Sequence, residues 1–227
     1  MFPIGDDEVR GAGFGFVNFL LIVLNVIVFL FETTLNTSAS QDFITRWGVI
    51  PVQILQGNQI ITLLTSMFLH GGWLHLIGNM VFLWVFGDNV EAVLGHIGYL
   101  IFYLGGGLAA SAAHIFFNPN SAIPSVGASG AIAAVLGAYI VMFPRSQIRT
   151  LIFWGLGGTI TRVSAFFFLG IWFITQLLSG VLSVGDTAQT GGVAFWAHIG
   201  GFVFGFLAGF VFKGKATHLT YGSRRAY

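Results

Sequence analysis

Long apolar runs separated by short polar stretches dominate this chain. Six are long enough, or nearly so, to cross about 30 Å of hydrocarbon, which takes about 20 residues of helix. They are Phe14–Phe31, Trp73–Val93, Ile97–Phe117, Val126–Phe143, Val163–Leu182 and Phe195–Phe212. The expected fold is therefore all-α, a polytopic membrane protein of six transmembrane helices. The second run carries Asp88 and Glu91 near its end. Between the first two runs lies a polar stretch, Glu32 to Gly72, with Trp47, Pro51 and scattered apolar residues; it reads as a partly ordered interfacial loop. Leu151–Ile160 is apolar but glycine-rich and reads as an interfacial turn before the fifth helix. The expected organisation is an N-terminal segment 1–13, a membrane domain 14–212 and a polar tail 213–227, with no second domain, repeat or low-complexity linker.

Composition agrees with that class. Of 227 residues, 56% are hydrophobic and 7% charged, against about 25% charged in soluble domains. There is no cysteine, so disulfides and thiolate chemistry are excluded. No cleavable signal peptide is expected: Asp6, Asp7 and Glu8 face only Arg10, and the next apolar run lacks a small-residue cleavage site. The basic residues orient the chain. With six spans and a cytoplasmic N-terminus, Arg10, Arg145, Arg149, Arg162, Lys213, Lys215, Arg224 and Arg225 lie inside and only Arg46 outside, a clear positive-inside bias. Both termini are then cytoplasmic, and the second, fourth and sixth helices run inward in parallel.

That shared direction permits a depth comparison. Ser129 stands 16 residues before Arg145, His198 15 before Lys213, and His75 16 before Glu91. At about 1.5 Å per residue each lies ~23 Å above its inner-face charge, so the three share one level near the outer surface. Asn79 is one turn deeper on the face of His75. Ser129, Ala133 and Gly137 form one small-residue stripe, and His198, Gly201, Gly205 and Gly209 another. Such stripes let helix backbones approach closely. They can serve packing alone. They would also bring Ser129 beside His198, and polar side chains in a bilayer usually mark function.

Serine becomes a nucleophile when a neighbouring base takes its proton, and histidine can do so near neutral pH. The oxyanion then needs preorganised donors, which His75, Asn79 and the Ser129 amide could supply at a helix N-terminus. Gly127 and Ala128, next to the serine, would wall the site and leave little room for a bulky side chain at the cut. No acid is fixed to orient His198; Asp186 lies in the preceding loop. A Ser-His dyad is the preferred reading, a known variant of the triad. Water would reach it from outside under a mobile cap, Ser183–Ala194.

Three motifs now stand together: His75-Leu76-Ile77-Gly78-Asn79, Gly127-Ala128-Ser129-Gly130 and Ala197-His198-Ile199-Gly200-Gly201. The chain resembles the rhomboid family of intramembrane serine proteases, of the bacterial type with a six-helix core, over essentially the whole membrane region. The resemblance implies Ser129 as nucleophile, His198 as general base, and His75 and Asn79 at the oxyanion, with Glu91 and Gly95 structural. It implies transmembrane proteins as substrates, the lipid bilayer as surroundings, a plasma (inner) membrane location, no cofactor and no nucleic-acid partner. Two departures stand out. Ala133 occupies the place where some members carry a tyrosine stacked on the base. Ile61-Thr62-Leu63-Leu64 stands where some carry a Trp-Arg pair.

Bland readings cover other polar residues. His70 reads as a loop hydrogen-bonding residue. A metal site from His70, His75 and His198 lacks the carboxylate or cysteine that usually completes one. His96, His114 and His218 look interfacial, and Trp73, Trp154 and Trp196 fit interfacial belts. Two rivals from other classes remain: a non-catalytic rhomboid-like binder of transmembrane helices, and a transporter. The latter would usually show charged residues or broken helices at the midplane.

Overall fold

A computed structural model describes residues 1–6, 14–154, 157–183 and 194–221. Among these residues, five helices are long and apolar enough to cross a membrane: α1 (Phe16–Thr33), α5 (Trp73–Leu94), α6 (His96–Phe117), α8 (Ala165–Leu182) and α9 (Phe195–Tyr221). The sixth apolar helix, α7 (Ser129–Met142), is shorter. The protein is an integral, multi-pass membrane protein, and its exposed faces are those expected beside lipid: Ile27, Ile101, Phe167, Ile171, Leu207 and Val211 all point outward.

α7 is the centre of the bundle. Every residue after Ser129 in this helix is buried, which is why its sequence is apolar all round and carries no amphipathic period. The sequence predicted a span over Val126–Phe143; the helix instead starts at Ser129. Residues 119–128 are held away from helical geometry by several constraints. Pro124 disfavours helix at the residue before it, Val49 and Ser125 form a β-bridge, and Gly127 sits at φ 130° with its N–H on the Ser66 carbonyl at 2.9 Å. Only glycine tolerates that φ readily. At about 1.5 Å per residue, α7 spans ~21 Å of a ~30 Å hydrocarbon layer.

α7 and α9 touch backbone to backbone. A methyl at Gly205 would lie 1.8 Å from the Ala134 carbonyl oxygen, one at Gly201 2.1 Å from that of Gly130, and one at Gly137 2.1 Å from that of Phe202. The predicted α9 stripe is the contact face. On α7 the face is rotated slightly from the predicted one and runs through Gly130, Ala134 and Gly137.

At the opposite end from Ser129, Glu91 ties three helices together. Its carboxylate accepts the Val17 and Asn18 amides at 2.9 and 2.7 Å, satisfying orphan donors at the start of α1, and it pairs with His96. Asn18 donates to the Leu83 carbonyl at 3.0 Å and accepts from Tyr99 at 2.8 Å. Gly95, at φ 76°, turns α5 directly into α6.

Two regions hold more structure than the sequence suggested. The stretch from Glu32 to Gly72 folds into α2 (Thr37–Trp47), α3 (Pro51–Leu55), α4 (Thr62–Thr65) and a 3-10 turn, Ser66–Phe68. Asn36 caps α2 through the Ala39 amide, and Pro51 starts α3. The expected turn at Leu151–Ile160 belongs to an antiparallel sheet, β1 (Phe2–Gly5), β2 (Gln147–Trp154) and β3 (Gly157–Ser164), in the order β1-β2-β3. Asp6, just past β1, accepts from Asn89 and Tyr139 and so anchors the sheet to α5 and α7. The sheet adds to the helical bundle at its Arg145 end. α9 continues through Tyr221, past the expected end of the span at Phe212.

Gly205→Ala should destabilise the bundle by about 1–3 kcal/mol, the usual range for overpacking. Gly170→Ala, where nothing lies within 4 Å, should leave the melting midpoint unchanged or raised. Thermal unfolding in detergent compares the two.

Candidate active site

Ser129 is the first residue of α7, so it sits at the start of a helix shorter than the bilayer core, with a cavity above it. The cavity, of about 1160 Å³, is lined by Ser129, His198, His75, Asn79 and Gly127, with Ser111 and His114 from α6, Asn118 just after it and Ser125 from the loop before α7. Thus the predicted serine, both predicted histidines and the asparagine, from α5, α7 and α9, meet on one wall. Among the described residues, no Asp, Glu or Cys lines this cavity. Among the described residues, no cluster of three or more metal-ligating His, Cys, Asp or Glu side chains occurs.

Each residue is held by identifiable contacts. Ala128 precedes α7 and its side chain makes no cap hydrogen bond, so the first-turn amides of Ser129, Gly130 and Ala131 have no partner within the helix. His75, half-buried, accepts the Gly71 amide on Nδ1 at 3.3 Å. Its proton then resides on Nε2 when the ring is neutral. That nitrogen lies beside Gly127: a methyl there would be 2.8 Å from His75 Nε2 and 3.6 Å from Ser129 Oγ. Glycine at 127 is therefore required twice, by its φ and by the imidazole against it.

The other two predicted oxyanion or substrate contacts are placed differently from each other. Gly127 lines the cavity, with its amide given to the Ser66 carbonyl. Ala128 is fully buried and is absent from the cavity wall. Both follow from the tight loop that the bond to Ser66 imposes.

Asn79 is buried, with Nδ2 3.0 Å from His70 Nε2, leaving the second Nδ2 hydrogen for another acceptor. His70 itself lies in the loop before α5, 2% exposed, with its N–H directed to the Glu32 carboxylate at 3.3 and 3.4 Å. This fits its reading as a hydrogen-bonding residue. Burial, with a smaller contribution from His75, lowers its pKa to about 4. The ring is neutral at pH 7 and Nε2 accepts from Asn79.

His198 is buried near the start of α9, with Nδ1 2.7 Å from Gln176 Oε1 of α8. The Trp172 ring, one turn before Gln176, lies 5.8 Å from the imidazole at 36°. Where the resemblance puts a tyrosine on α7, Ala133 is fully buried, and the ring contact to His198 comes from α8 instead. Gln176 is a contact that the motifs do not reveal; its signal in the sequence is a long amide inside the apolar run Val163–Leu182. No hydrogen bond joins Ser129 Oγ to His198 among the described residues. The expected cap Ser183–Ala194, with Asp186, lies almost wholly outside them.

A family model described as "Rhomboid domain" matches residues 57–215, which contain every residue of this cavity's reactive wall. This chain belongs to the rhomboid family. It is 31% identical over 193 residues, 84% of its length, to "Rhomboid protease GluP" of Bacillus subtilis, of which it covers 33%. It is 33% identical over 161 residues to "RHOMBOID-like protein 6, mitochondrial" of Arabidopsis thaliana, covering 70% of this chain and 46% of that one. "Rhomboid protein 1, mitochondrial" of Saccharomyces cerevisiae is 29% identical over 153 residues, 66% of this chain and 41% of its own. The chain thus spans between a third and half of the length of these relatives.

The shift at His70 has a stability consequence. The unfolded ring takes its proton near 6.5 and the folded one near 4, so between these values the unfolded state binds more protons. The stabilisation is full above about pH 6.5 and is lost as pH falls toward 4. His70→Gln should flatten the fall of the melting midpoint across that window. A slope equal to wild type would mean that His70 does not titrate there.

Proposed function

We propose that this rhomboid-family chain is an intramembrane serine endopeptidase that hydrolyses peptide bonds in or near the transmembrane segments of other proteins. Support comes chiefly from one observation: Ser129 and His198, on helices in backbone contact, line one cavity with His75 and Asn79. In the proposed reaction Ser129 Oγ attacks the scissile carbonyl carbon and its proton passes to His198 Nε2. The oxyanion is received by the Ser129 amide, by the free hydrogen of Asn79 Nδ2 and by His75 Nε2–H. Collapse breaks the C–N bond, and the leaving amine takes the proton from His198. Water, activated by the same imidazole, then releases the acyl group.

Substrate helices hide their carbonyls in backbone hydrogen bonds, so a segment must unwind to be cut, and Gly, Ala or Ser at the cut suits the small wall around Ser129. We also propose that the Ser129 end faces outward and both termini inward. The basic residues Arg145, Arg149, Arg162, Lys213 and Lys215, all at the sheet end, support this. The division into a segment 1–13, a membrane domain 14–212 and a tail 213–227 belongs to the same reading.

The lack of a Ser129–His198 hydrogen bond among the described residues favours one alternative, a chain that binds transmembrane helices without cutting them. Against it, catalytic hydrogen bonds are often loose before substrate binds. A serine-directed fluorophosphonate probe separates the two. Labelling of wild type and none of Ser129→Ala is expected of the enzyme; a folded wild type that never labels favours the binder.

Ser129→Ala and His198→Ala should each abolish cleavage of a tagged transmembrane substrate while the protein stays folded. The double variant should be no slower than either, because the pair acts as a unit. A single variant cleaving at wild-type rate removes that residue from the dyad.

Asn79→Ala should lower turnover by no more than about 10²–10³-fold, the usual loss of one oxyanion donor, because two donors remain. Unchanged turnover with an altered melting midpoint would leave Asn79 a packing residue.

A further inference from the structure

Gln176, bonded to His198, is a polar side chain beside the site for which the proposed chemistry has no role. It sits on α8, the least buried of the five long apolar helices, with 22% of its apolar stretch inside the bundle. The inward face of α8 is narrow. Trp172 and Phe173 meet Phe202, with ring centroids 6.1 and 4.4 Å apart, and Gly180 faces Ile199 and Phe195, which a methyl there would approach to 3.1 and 3.4 Å. Between these apolar contacts, one turn from each, Gln176 Oε1 reaches His198 Nδ1 at 2.7 Å. An amide inside an apolar span needs a partner to offset its desolvation, and the imidazole nitrogen is that partner.

The surroundings say what such a contact can do. A base that takes the Ser129 proton on Nε2 must carry its own hydrogen on Nδ1, and a fixed acceptor at Nδ1 selects that tautomer. Among the described residues, no carboxylate lines the cavity, and the other titratable groups on its wall are His75 from α5 and His114 from α6; α7 and α8 contribute none. Gln176 Oε1 is therefore the acceptor available to hold Nδ1–H, with Trp172 flanking the ring.

We propose that Gln176 is the positioning residue of His198, a neutral amide that holds the imidazole in the tautomer and orientation needed to serve Ser129. This rests on the reading of His198 as the base. The amide keeps its bond through the reaction: as His198 gains a proton on Nε2, the Nδ1–H···Oε1 contact becomes charge-assisted and strengthens. Unlike a carboxylate, the amide brings no net charge into the bilayer. It orients the base while stabilising the imidazolium less than an ion would.

The test is the rate at which the full chain, in detergent, is labelled by a fluorophosphonate, measured against pH. In that reaction Ser129 Oγ bonds to phosphorus and fluoride leaves. Gln176→Leu keeps the volume and removes the acceptor. It should lower the plateau rate by about ten- to a hundredfold, the range orienting partners have elsewhere, while the protein melts near the wild-type temperature. Gln176→Glu places a charge at Nδ1 and favours the imidazolium, so the acidic limb of the profile should move to higher pH. A structural role would change the melting midpoint and leave that limb in place. Folded Gln176→Leu labelling at the wild-type rate, or folded Gln176→Glu with an unmoved limb, overturns the proposal. If neither folds, Gln176→Asn, which withdraws the amide by one methylene, decides: wild-type labelling overturns the proposal and slowed labelling by a folded protein supports it. A folded wild type as silent as Ser129→Ala overturns the dyad reading and the positioning role with it. That outcome is distinct from one in which wild type labels and the Gln176 variants match it.

Discussion

The backbone contact between α7 and α9 is the constraint on which the rest depends. In a bilayer, helices gain little from hiding apolar side chains from one another, because lipid is equally apolar; close packing and polar contacts must hold them. Gly201 and Gly205 of α9 lie against Gly130 and Ala134 of α7 at distances no side chain could share, and Gly209 packs tightly on Ala138. This contact fixes the rotation and height of one helix against the other. Ser129 and His198 each stand within four residues of the uppermost pair, Gly130 and Gly201, so the same contact brings both to one cavity wall.

The shortness of α7 is the second half of this arrangement. A helix that spanned the full hydrocarbon layer would carry its first turn to the surface. At 14 residues it stops short, its N-terminal amides are recessed, and the gap above becomes a cavity. The loop before it is locked by Ser66 and by the β-bridge of Ser125 to Val49. The segment between α1 and α5, polar and apparently plain in sequence, thus helps to set where α7 begins. At the far end, Glu91 on the first-turn amides of α1 and Asp6 on Tyr139 and Asn89 tie the outer elements to the same core.

The side chains at the site lean on neutral partners. Asn79 leans on His70, whose backbone amide is directed to the Glu32 carboxylate, and Gln176 reaches His198. An amide or a neutral imidazole can orient a neighbour in a low-dielectric setting without the desolvation penalty that a net charge would carry. The lowered pKa of His70 follows from the same burial.

Much of this was legible in the residues. Hydrophobic run length identifies the membrane class and the spans, because a bilayer core demands about 20 apolar residues per helix. The glycine stripe of α9 announces a close helix neighbour, and equal spacing from the charges Arg145, Glu91 and Lys213 puts Ser129, His75 and His198 at one depth. Periodicity fails on α7, since a helix buried on all sides has no polar face to betray its register, and its contact face lies slightly rotated from the stripe Ser129, Ala133 and Gly137. The β-strands around residues 147–164 escaped because a short apolar run rich in glycine fits a turn as well as a strand. What only the tertiary structure decided are relations between distant residues. The Gly127 amide is spent on Ser66, Asn79 leans on His70, and Gln176 of α8 holds the ring of His198. Sequence spacing reports depth along a helix and the face a residue shares, through the fixed rise and turn of the backbone. It carries no measure of how far one helix is rotated toward another, and hydrogen bonds between helices form only where that rotation brings donor and acceptor within about 3 Å.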